Sequence, residues 1–293
     1  MSKKEVEKKQ KTNWKKQVPL IPGYMIVTIW VIFTIMLIVG IFAYSLKGNN
    51  TELFKYGIFE FPTGLHFDNF AKVWRASFSV YFANSAFYSA VACVLLIVIS
   101  APAAYALSRF EFKFNKLLQT SFVSGMSIPV VLLIMPLFAI AAANGFTSNR
   151  WFLAFLLTAA NMPFTIFFLM TFFSNLSKTY EEAAAIDGCS PIKTFWKIML
   201  PLVQPGIITV TIFNFITVWN DYFISLIFVG GAEKLKPLAV GVFTIINGMK
   251  YNPAYGMPCV FAAVVIIFLP TFVLYILLSE KIIAGVTGGG IKG

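Results

Sequence analysis

Long apolar stretches alternate with short polar ones along most of the 293-residue chain. Six of them reach about 20 residues or more, the length that a helix needs to cross the hydrocarbon core of a membrane. They cover residues 24–46, 83–107, 121–143, 151–174, 206–230 and 258–279. A membrane-spanning strand would be about half as long, so the pattern predicts helices. We therefore predict an all-α membrane protein with six transmembrane helices.

The composition agrees with a chain that is surrounded mostly by lipid. Hydrophobic residues make up 58% of the sequence and charged residues only 12%, whereas soluble proteins carry about 25% charged residues. The net charge of +11 could indicate a nucleic-acid partner. Seven of the 23 basic residues, however, lie within the first 16 positions, before the first apolar run. This placement is typical of a cytoplasmic anchor, so we predict contact with lipid and no nucleic-acid partner.

The basic residues also predict how the chain is oriented. Six spans place both termini on the same side, and cytoplasmic loops are enriched in Lys and Arg. With the N-terminus inside, the inner segments hold 15 basic residues and the outer segments hold eight. The whole excess comes from the N-terminal tail. We therefore predict a multi-pass protein with a cytoplasmic N-terminus, in which a basic tail (residues 1–20) precedes a membrane domain (residues 21–293).

Candidate catalytic and metal-binding groups are few. An intramembrane enzyme would need paired carboxylates, a Ser/His set or a metal cluster within its spans, and the only charged residue well inside a run is Asp221. The single histidine, His66, falls outside the runs. Cys93, Cys189 and Cys259 lie far apart, without the spacing of a metal site or a disulfide framework. We predict no catalytic residues, no metal site and no enzymatic activity in this chain.

The polar segment at residues 175–205, between the fourth and fifth runs, is patterned as two short helices. Thr179 and Glu182 have the spacing of a capping box, which predicts that a helix starts at Thr179. Gly188 can adopt a positive φ and should end this helix. Ser190 is then the predicted N-cap of a second helix, with a proline in its first turn. We expect an amphipathic hairpin at the inner membrane face, although periodicity alone also allows a plain connector.

The order of residues in this segment narrows the interpretation. Residues 181–201 read EEAAAIDGCSPIKTFWKIMLP, which resembles the EAA motif of permease subunits of bacterial ABC importers. Four further segments resemble the carbohydrate, maltose-type branch of that family and occur in the family's order. They are FPTGLHFDNF (61–70), AYALSRFEF (104–112), WNDY (219–222) and GVTGGGIKG (285–293). Ser177 and Lys178 stand where many members have a proline, which is a minor departure.

The resemblance implies a cytoplasmic coupling hairpin between helices 4 and 5 of a transmembrane permease domain in a bacterial cell membrane. The implied coupling residues are Glu181, Glu182, Ala183, Ala184, Asp187 and Gly188. Glu182 would pair with a basic residue of an ATPase subunit, the alanines would allow close approach, and Gly188 would set the turn. Partner ATPase subunits would bind ATP and Mg, so this chain would need no cofactor. The other implied partners are a second permease subunit and an extracytoplasmic solute-binding protein.

A polar cluster in the fifth run is the candidate for the substrate path. A charge in hydrocarbon costs at least about 2.5 kcal/mol, so Asp221 should face protein or a wet cavity. The aromatic and amide groups around it suit sugar rings and hydroxyls. The candidates are Trp219, Asn220, Asp221 and Tyr222. The same cluster could instead pack against a partner permease or mark a break in the helix.

Together these features predict the permease subunit of an ATP-driven importer for a sugar or oligosaccharide, which couples ATP hydrolysis by a partner to alternating access. A permease for another small solute, such as a polyol, an amino acid or a phosphoester, is the first alternative, because the sugar assignment depends on the resemblance alone. A secondary transporter or channel is the second, and it should carry more polar residues in its helices. An ATPase bound after purification would favour the importer.

Overall fold

The computed structural model describes residues 18–48, 62, 64–250 and 255–288 of the chain. Within these ranges all regular secondary structure is helical. The helices, numbered in chain order, are α1 (Ile21–Ser45), α2 (Asp68–Val73), α3 (Ser79–Arg109), α4 (Asn115–Met126), α5 (Val130–Ala143), α6 (Arg150–Asn175), α7 (Thr179–Ile186), α8 (Pro191–Thr194), α9 (Leu200–Leu202), α10 (Gln204–Trp219), α11 (Phe223–Val229), α12 (Leu238–Lys250) and α13 (Gly256–Gly288). One wide π-helical turn joins α2 to α3 and another joins α8 to α9.

Six segments of the described chain can cross a membrane. Helices α1, α3, α6 and α13 are each long and apolar enough by themselves. Two bent pairs pass the same test if each counts as one span: α4 with α5, and Pro191–Leu202 with α10. The prediction of an all-α membrane protein with six spans is therefore confirmed, and α7 lies between the fourth span and the fifth, whose first residues form α8.

Two of the predicted spans are not continuous helices. The third run is broken between α4 and α5, which meet at an angle of 98°. Pro129 explains this break, because it lacks an amide hydrogen and disfavours the helical conformation at Ile128. The fifth run is broken between α10 and α11. Its polar residues 220–222 end one helix and begin the next.

Helix α3 forms the centre of the bundle and packs against α6 and α10. Its buried face carries alanines that let neighbouring backbones approach closely, among them Ala92, Ala101 and Ala104. A buried polar pair also joins α6 to α10, since the Asn214 Nδ2 donates to Thr165 Oγ1 at 2.9 Å. Such pairing satisfies polar groups that have no water partner within lipid.

The bundle has two ends. The hairpin end comprises Arg109, Asn175 and the segment 176–203, and the far end comprises Ser45, Arg150 and the loop 230–237. Helix α1 approaches α13, and within α1 only its last two residues are buried. Most of the predicted basic tail lies outside the described residues. Its last three residues, Val18–Leu20, form a single 3₁₀ turn before α1.

Candidate functional site

The turn between α7 and α8 has a defined local geometry. Gly188 adopts a positive φ of 72°, as the sequence predicts, directly after α7 ends. The Gly188 N–H donates to the Ala185 carbonyl at 3.0 Å, and the Cys189 N–H donates to the Ala184 carbonyl at 2.8 Å. This is the hydrogen-bond pattern of a Schellman motif, which satisfies carbonyls at the end of a helix. The hairpin turn is therefore encoded by its own residues.

The starts of the two hairpin helices differ in how well the sequence predicts them. Ser190 caps α8 as predicted, because its hydroxyl accepts a hydrogen bond from the Lys193 N–H at 3.4 Å. The predicted capping box of α7 is wrong. Thr179 lies inside the helix, and its N–H donates to the Ser177 hydroxyl at 3.3 Å. Lys178 is the N-cap residue, and its side chain makes no capping hydrogen bond.

One side of the hairpin is exposed and carries both acidic and apolar side chains. Of the predicted coupling residues, Glu182, Ala183, Asp187 and Gly188 are exposed. Two isoleucines that sequence reasoning missed stand out on the same hairpin: Ile186 is 87% exposed and Ile192 is 73% exposed. Large apolar side chains with such exposure beside carboxylates are typical of a surface that contacts another protein.

The opposite side of the hairpin is fastened to the bundle. Ala184 is 2% exposed, so it packs within the chain. Glu181 forms a bidentate ion pair with Arg109, in which Nη2 lies 2.6 Å from Oε2 and Nε lies 3.0 Å from both carboxylate oxygens. The same guanidinium donates through Nη1 to the carbonyls of Phe173 and Leu176 at the end of α6. The adjacent residues Glu181 and Glu182 therefore have different surroundings.

The WNDY segment lies at the break between α10 and α11. Asn220 is exposed, and its amide donates to the Ile216 carbonyl within its own helix at 2.8 Å. Asp221 Oδ2 accepts hydrogen bonds from the Ser225 N–H at 2.9 Å and from the Ser225 hydroxyl at 2.6 Å. An acidic side chain that binds amide hydrogens in the first turn of a helix stabilises that helix start. The structure thus shows the helix break that the sequence left open.

A cleft of about 210 Å³ lies beside this break. Asp221 lines it, together with two polar residues that sequence reasoning missed, Asn161 of α6 and Thr217 of α10. The rest of its lining is apolar and comes mainly from α5, α6 and α11. Three oxygen- or nitrogen-bearing side chains in an apolar cleft can bind hydroxyl groups of a small polar ligand.

The two aromatic residues of the segment lie away from the cleft lining. Trp219 is 2% exposed and packs against Phe82 and Phe215, with ring centroids 5.3 Å away in each case. Tyr222 is half-buried and approaches Phe243 of α12, with ring centroids 6.1 Å apart. These two residues hold the ends of the broken helix against neighbouring elements.

The far end contains a polar network that the sequence did not indicate. The Asn84 amide donates to the carbonyls of Lys234 and Lys236 at 2.9 and 3.0 Å, and its oxygen accepts from Arg150 Nη2 at 2.7 Å. The Tyr88 hydroxyl donates to the Leu235 carbonyl at 2.9 Å. Asn84 falls near the start of an apolar run, and its partners are far away in sequence: the two carbonyls by 150 and 152 positions and Arg150 by 66. Only its polarity within that run could have indicated a contact.

The described residues contain no group of three or more His, Cys, Asp or Glu side chains that could hold a metal ion. The three cysteines are unpaired. Cys93 and Cys259 are buried, and Cys189 lies half-exposed in the hairpin turn. The arrangement offers an exposed hairpin with acidic and apolar side chains, and a polar cleft.

Comparison with known proteins gives a consistent result. Residues 94–279 match the family described as "Binding-protein-dependent transport system inner membrane component". The chain is 31% identical to the diacetylchitobiose uptake system permease protein NgcG of Streptomyces coelicolor, over 91% of this chain and 87% of the relative. It is 34% identical to the melibiose/raffinose/stachyose import permease protein MelC of Bacillus subtilis, over 80% of this chain and 83% of the relative.

A solved structure shares the fold over nearly the whole chain. It is the crystal structure of a bacterial ABC transporter involved in the import of the acidic polysaccharide alginate, which matches with a TM-score of 0.79 and 24% identity. The match covers 91% of this chain and 97% of the other chain. The family match spans more than half of the chain and includes α6, the hairpin and α10. These findings confirm the resemblance seen in residues 181–201, and the chain belongs to the family of binding-protein-dependent transport system inner membrane components, as a multi-pass permease of the cell membrane.

Proposed function

We propose that this chain is the permease subunit of an importer for a sugar or oligosaccharide, and that a separate ATPase chain drives it. The observation that carries the proposal is the hairpin, which exposes Ile186 and Ile192 beside Glu182 and Asp187. A connector that only joined two spans would have no reason to hold apolar side chains out from the bundle. The named substrates of NgcG and MelC support the sugar class.

The docking surface in this proposal consists of Glu182, Ala183, Ile186, Asp187 and Ile192. Glu182 and Asp187 meet basic residues of the ATPase, the isoleucines enter its apolar cleft, and Ala183 allows a close approach. Gly188 fixes the turn on which this surface depends. Glu181 and Ala184 support the surface from within the chain. ATP and Mg bind to the ATPase, where hydrolysis takes place.

The remaining partners follow from the orientation. With the N-terminus in the cytoplasm, the hairpin end faces the cytoplasm and the far end faces the extracytoplasmic solute-binding protein. A second permease subunit lies beside this one and completes the path. We place the solute near the cleft formed by Asn161, Thr217 and Asp221, with Asn220 at its edge. Trp219 and Tyr222 serve the path by fixing the helix break.

The docking surface can be tested with two glycines in the same backbone state. Gly188 and Gly145 have φ values of 72° and 71°, and neither has an atom within 4 Å of an added Cβ. An L-residue in this conformation costs about 1–2 kcal/mol. The tagged chain is co-expressed with a second permease subunit and an ATPase subunit from the same source. Retention of the ATPase on the tagged chain is then measured for Gly188→Ala, Gly145→Ala and Glu182→Gln.

We expect Gly188→Ala and Glu182→Gln to weaken ATPase retention and Gly145→Ala to leave it unchanged. The Gly145 variant controls for backbone strain, because Gly145 lies in the turn between α5 and α6, at the other end of the bundle. Equal retention by all three variants would contradict docking through the hairpin. Uptake that persists with no ATPase in the preparation would instead support a secondary transporter. The ligand of the cognate binding protein distinguishes a sugar from another small solute.

A further inference from the structure

Arg109 uses its whole guanidinium to join three elements of the fold. It is the last residue of α3, it holds Glu181 of α7 through Nε and Nη2, and it holds the last carbonyls of α6 through Nη1. The distances to Glu181 are 2.6 to 3.0 Å, and the distance to the Leu176 carbonyl is 3.0 Å. A planar fork of five donors is suited to bridging several acceptors in fixed directions.

The electrostatics of this contact favour all three elements at once. A cation at the C-terminal ends of α3 and α6 and a carboxylate in the first turn of α7 each complement the helix dipoles. The Arg109 side chain is 5% exposed and that of Glu181 is 23% exposed, so water screens the pair only weakly. Charge-assisted bidentate bonds are among the stronger hydrogen bonds in proteins. The contact therefore fixes both the distance and the orientation of the hairpin.

Tyr105, one turn before Arg109, strengthens the same connection. Its ring contacts Phe173 of α6 and Phe195 after α8, with ring centroids 5.4 and 5.2 Å away. Tyr105 also lines the same small cleft as Arg109 and Glu181. The ion pair thus lies beside an aromatic cluster that joins α3, α6 and the segment after α8. The hairpin, α3 and α6 meet at one packed junction.

We propose that Arg109 is a positioning residue that makes the hairpin move together with α3 and α6, so that displacement of the docked hairpin reaches the polar cleft. The inference rests on the proposed docking of the hairpin to an ATPase. Glu182 faces the partner while Glu181 faces the bundle, so α7 is held between the two. Helix α6 carries Asn161 of the cleft, and a rigid connection at its hairpin end transmits movement toward that residue.

The geometry explains why arginine is needed here. Lysine would keep the positive charge but offers donors from a single atom at the end of a flexible chain. It could reach Glu181 or the carbonyls of α6, and it would not hold both in fixed directions. Arg109→Lys is therefore expected to preserve the fold and lose part of the rigid connection.

The test measures whether the hairpin and α3 move as one body. Spin labels are placed at Lys193→Cys on α8 and Glu111→Cys just after α3, both of which are exposed positions. Cys189→Ser removes the half-exposed native cysteine. The complete complex with its second permease and ATPase is studied in nanodiscs. The distance between the labels is recorded at rest and after trapping with ATP and vanadate, for the parent, Arg109→Gln, Arg109→Lys and Glu181→Gln.

For the parent we expect a narrow distribution of label-to-label distances in both states. Arg109→Gln and Glu181→Gln should keep a narrow distribution at rest and give a broad one after trapping. Arg109→Lys should give a width after trapping between those of the parent and of Arg109→Gln. Lys116→Gln is the matched control, because Lys116 is exposed at the same end of the bundle and lies outside both the docking surface and the Arg109–Glu181 pair, so it should leave the distribution narrow. If Arg109→Gln does not accumulate in membranes, Glu181→Gln decides the result, since it leaves Arg109 its two α6 carbonyls.

Two results would overturn the inference. One is a narrow distance distribution in both states for the Arg109 and Glu181 variants. The other is a distribution that is equally broad in both states, which would mean that the pair only supports the fold. Failure of the proposed function looks different, because the ATPase would then be absent from the parent complex and vanadate trapping would not occur.

Discussion

The two ends of the bundle are fastened by different chemistry. At the hairpin end, one buried ion pair between Arg109 and Glu181 connects three helices. At the far end, neutral side chains bind the backbone of the loop 230–237 at several points, and an ion pair between Glu233 and Lys236 lies within the loop. The Asn84 amide donates to two carbonyls of this loop, and Tyr88 donates to a third. Loss of one far-end contact leaves others in place, whereas the hydrogen bonds that join α7 to α3 and to the end of α6 all come from one guanidinium.

Two asparagines at the far end bind backbone carbonyls in the same way. The Asn69 amide donates to the carbonyls of Ser45 and Lys47 at 2.9 Å each, just as Asn84 does within the loop 230–237. Each asparagine is 2% exposed and bridges carbonyls two residues apart. Neutral amides satisfy the carbonyls of irregular backbone without adding a charge, and the charges at this end, Arg150 and the Glu233–Lys236 pair, lie beside these amides. Under the proposed docking, the hairpin end is the one that receives force from a partner.

The largest expected effect comes from Arg109→Gln. Removing one partner of a buried ion pair costs about 3–5 kcal/mol. We expect a loss of about 3 kcal/mol, at the lower end of this range, because Glu181 retains some exposure to water. The free energy of unfolding of the purified chain should fall by this amount. Denaturant titration followed by tryptophan fluorescence measures it.

Lys116→Gln is the control for this change. Lys116 is exposed in α4, and its replacement removes one positive charge from the same end of the bundle. Exposed charges contribute little to stability, so this variant should unfold like the parent. Equal losses for Arg109→Gln and Lys116→Gln would mean that net charge, and not the junction, determines stability at this end.

A smaller effect is expected from Asn84→Ala at the far end. The change leaves two carbonyls of the loop and one donor of Arg150 without their partner, and each buried group left unsatisfied costs about 1–3 kcal/mol. Tyr88 and Ser85 still hold the loop, since the Ser85 hydroxyl accepts from the Leu238 N–H at 2.8 Å. We expect a loss of about 1–2 kcal/mol, at the lower part of that range.

The matched control is Asn144→Ala at the same end. Asn144 is exposed, and its amide donates only within its own turn, to the Ile140 carbonyl. Its loss should change the unfolding free energy by less than about 0.5 kcal/mol. A loss for Asn84→Ala that equals or exceeds the loss for Arg109→Gln would reverse the comparison between the ends.

The sequence predicts the features that lipid and local backbone geometry dictate. Lipid requires apolar helices of a minimum length, which is why all six spans could be recognised. The turn at Gly188 could be predicted equally well, because its hydrogen bonds join residues within one short segment. Thr179 shows the limit of such local rules. The capping pattern predicts that the Thr179 hydroxyl accepts from the Glu182 N–H, but that N–H donates to the Lys178 carbonyl instead.

The contact between Arg109 and Glu181 could not be predicted from the pattern of residues. Arg109 and Glu181 are separated by 72 positions, and three helices must pack before they meet. Glu181 and Glu182 look equivalent in sequence, and only the direction of each side chain on α7 distinguishes them. The cleft has the same character in part, because Asn161 becomes a neighbour of Asp221 through the packing of α6 on α10, whereas Thr217 lies four positions before Asp221 in the same run.

The smallest effect concerns the ionic contact of the far end, between Glu233 and Lys236. The hydrogen bond from Lys236, followed by that from Tyr81, lowers the pKa of Glu233 below its ordinary value of 4.5. A carboxyl whose pKa is lower in the folded state stabilises the fold above its ordinary pKa, and this contribution is lost as the pH falls through the lowered value. The Glu233 side chain is 58% exposed, so the contribution should be below about 1 kcal/mol.

Glu233→Gln tests this contribution. The parent should be slightly more stable than the variant at neutral pH, and the difference should disappear as the pH falls well below 4.5. Unfolding midpoints of both proteins across this pH range measure the difference. Lys236→Met should reduce the same pH dependence, because it removes the larger of the two causes. A difference that persists unchanged in acid would mean that Glu233 acts through its neutral hydrogen bond with Tyr81, and that the charge pair with Lys236 adds nothing to the stability of the far end.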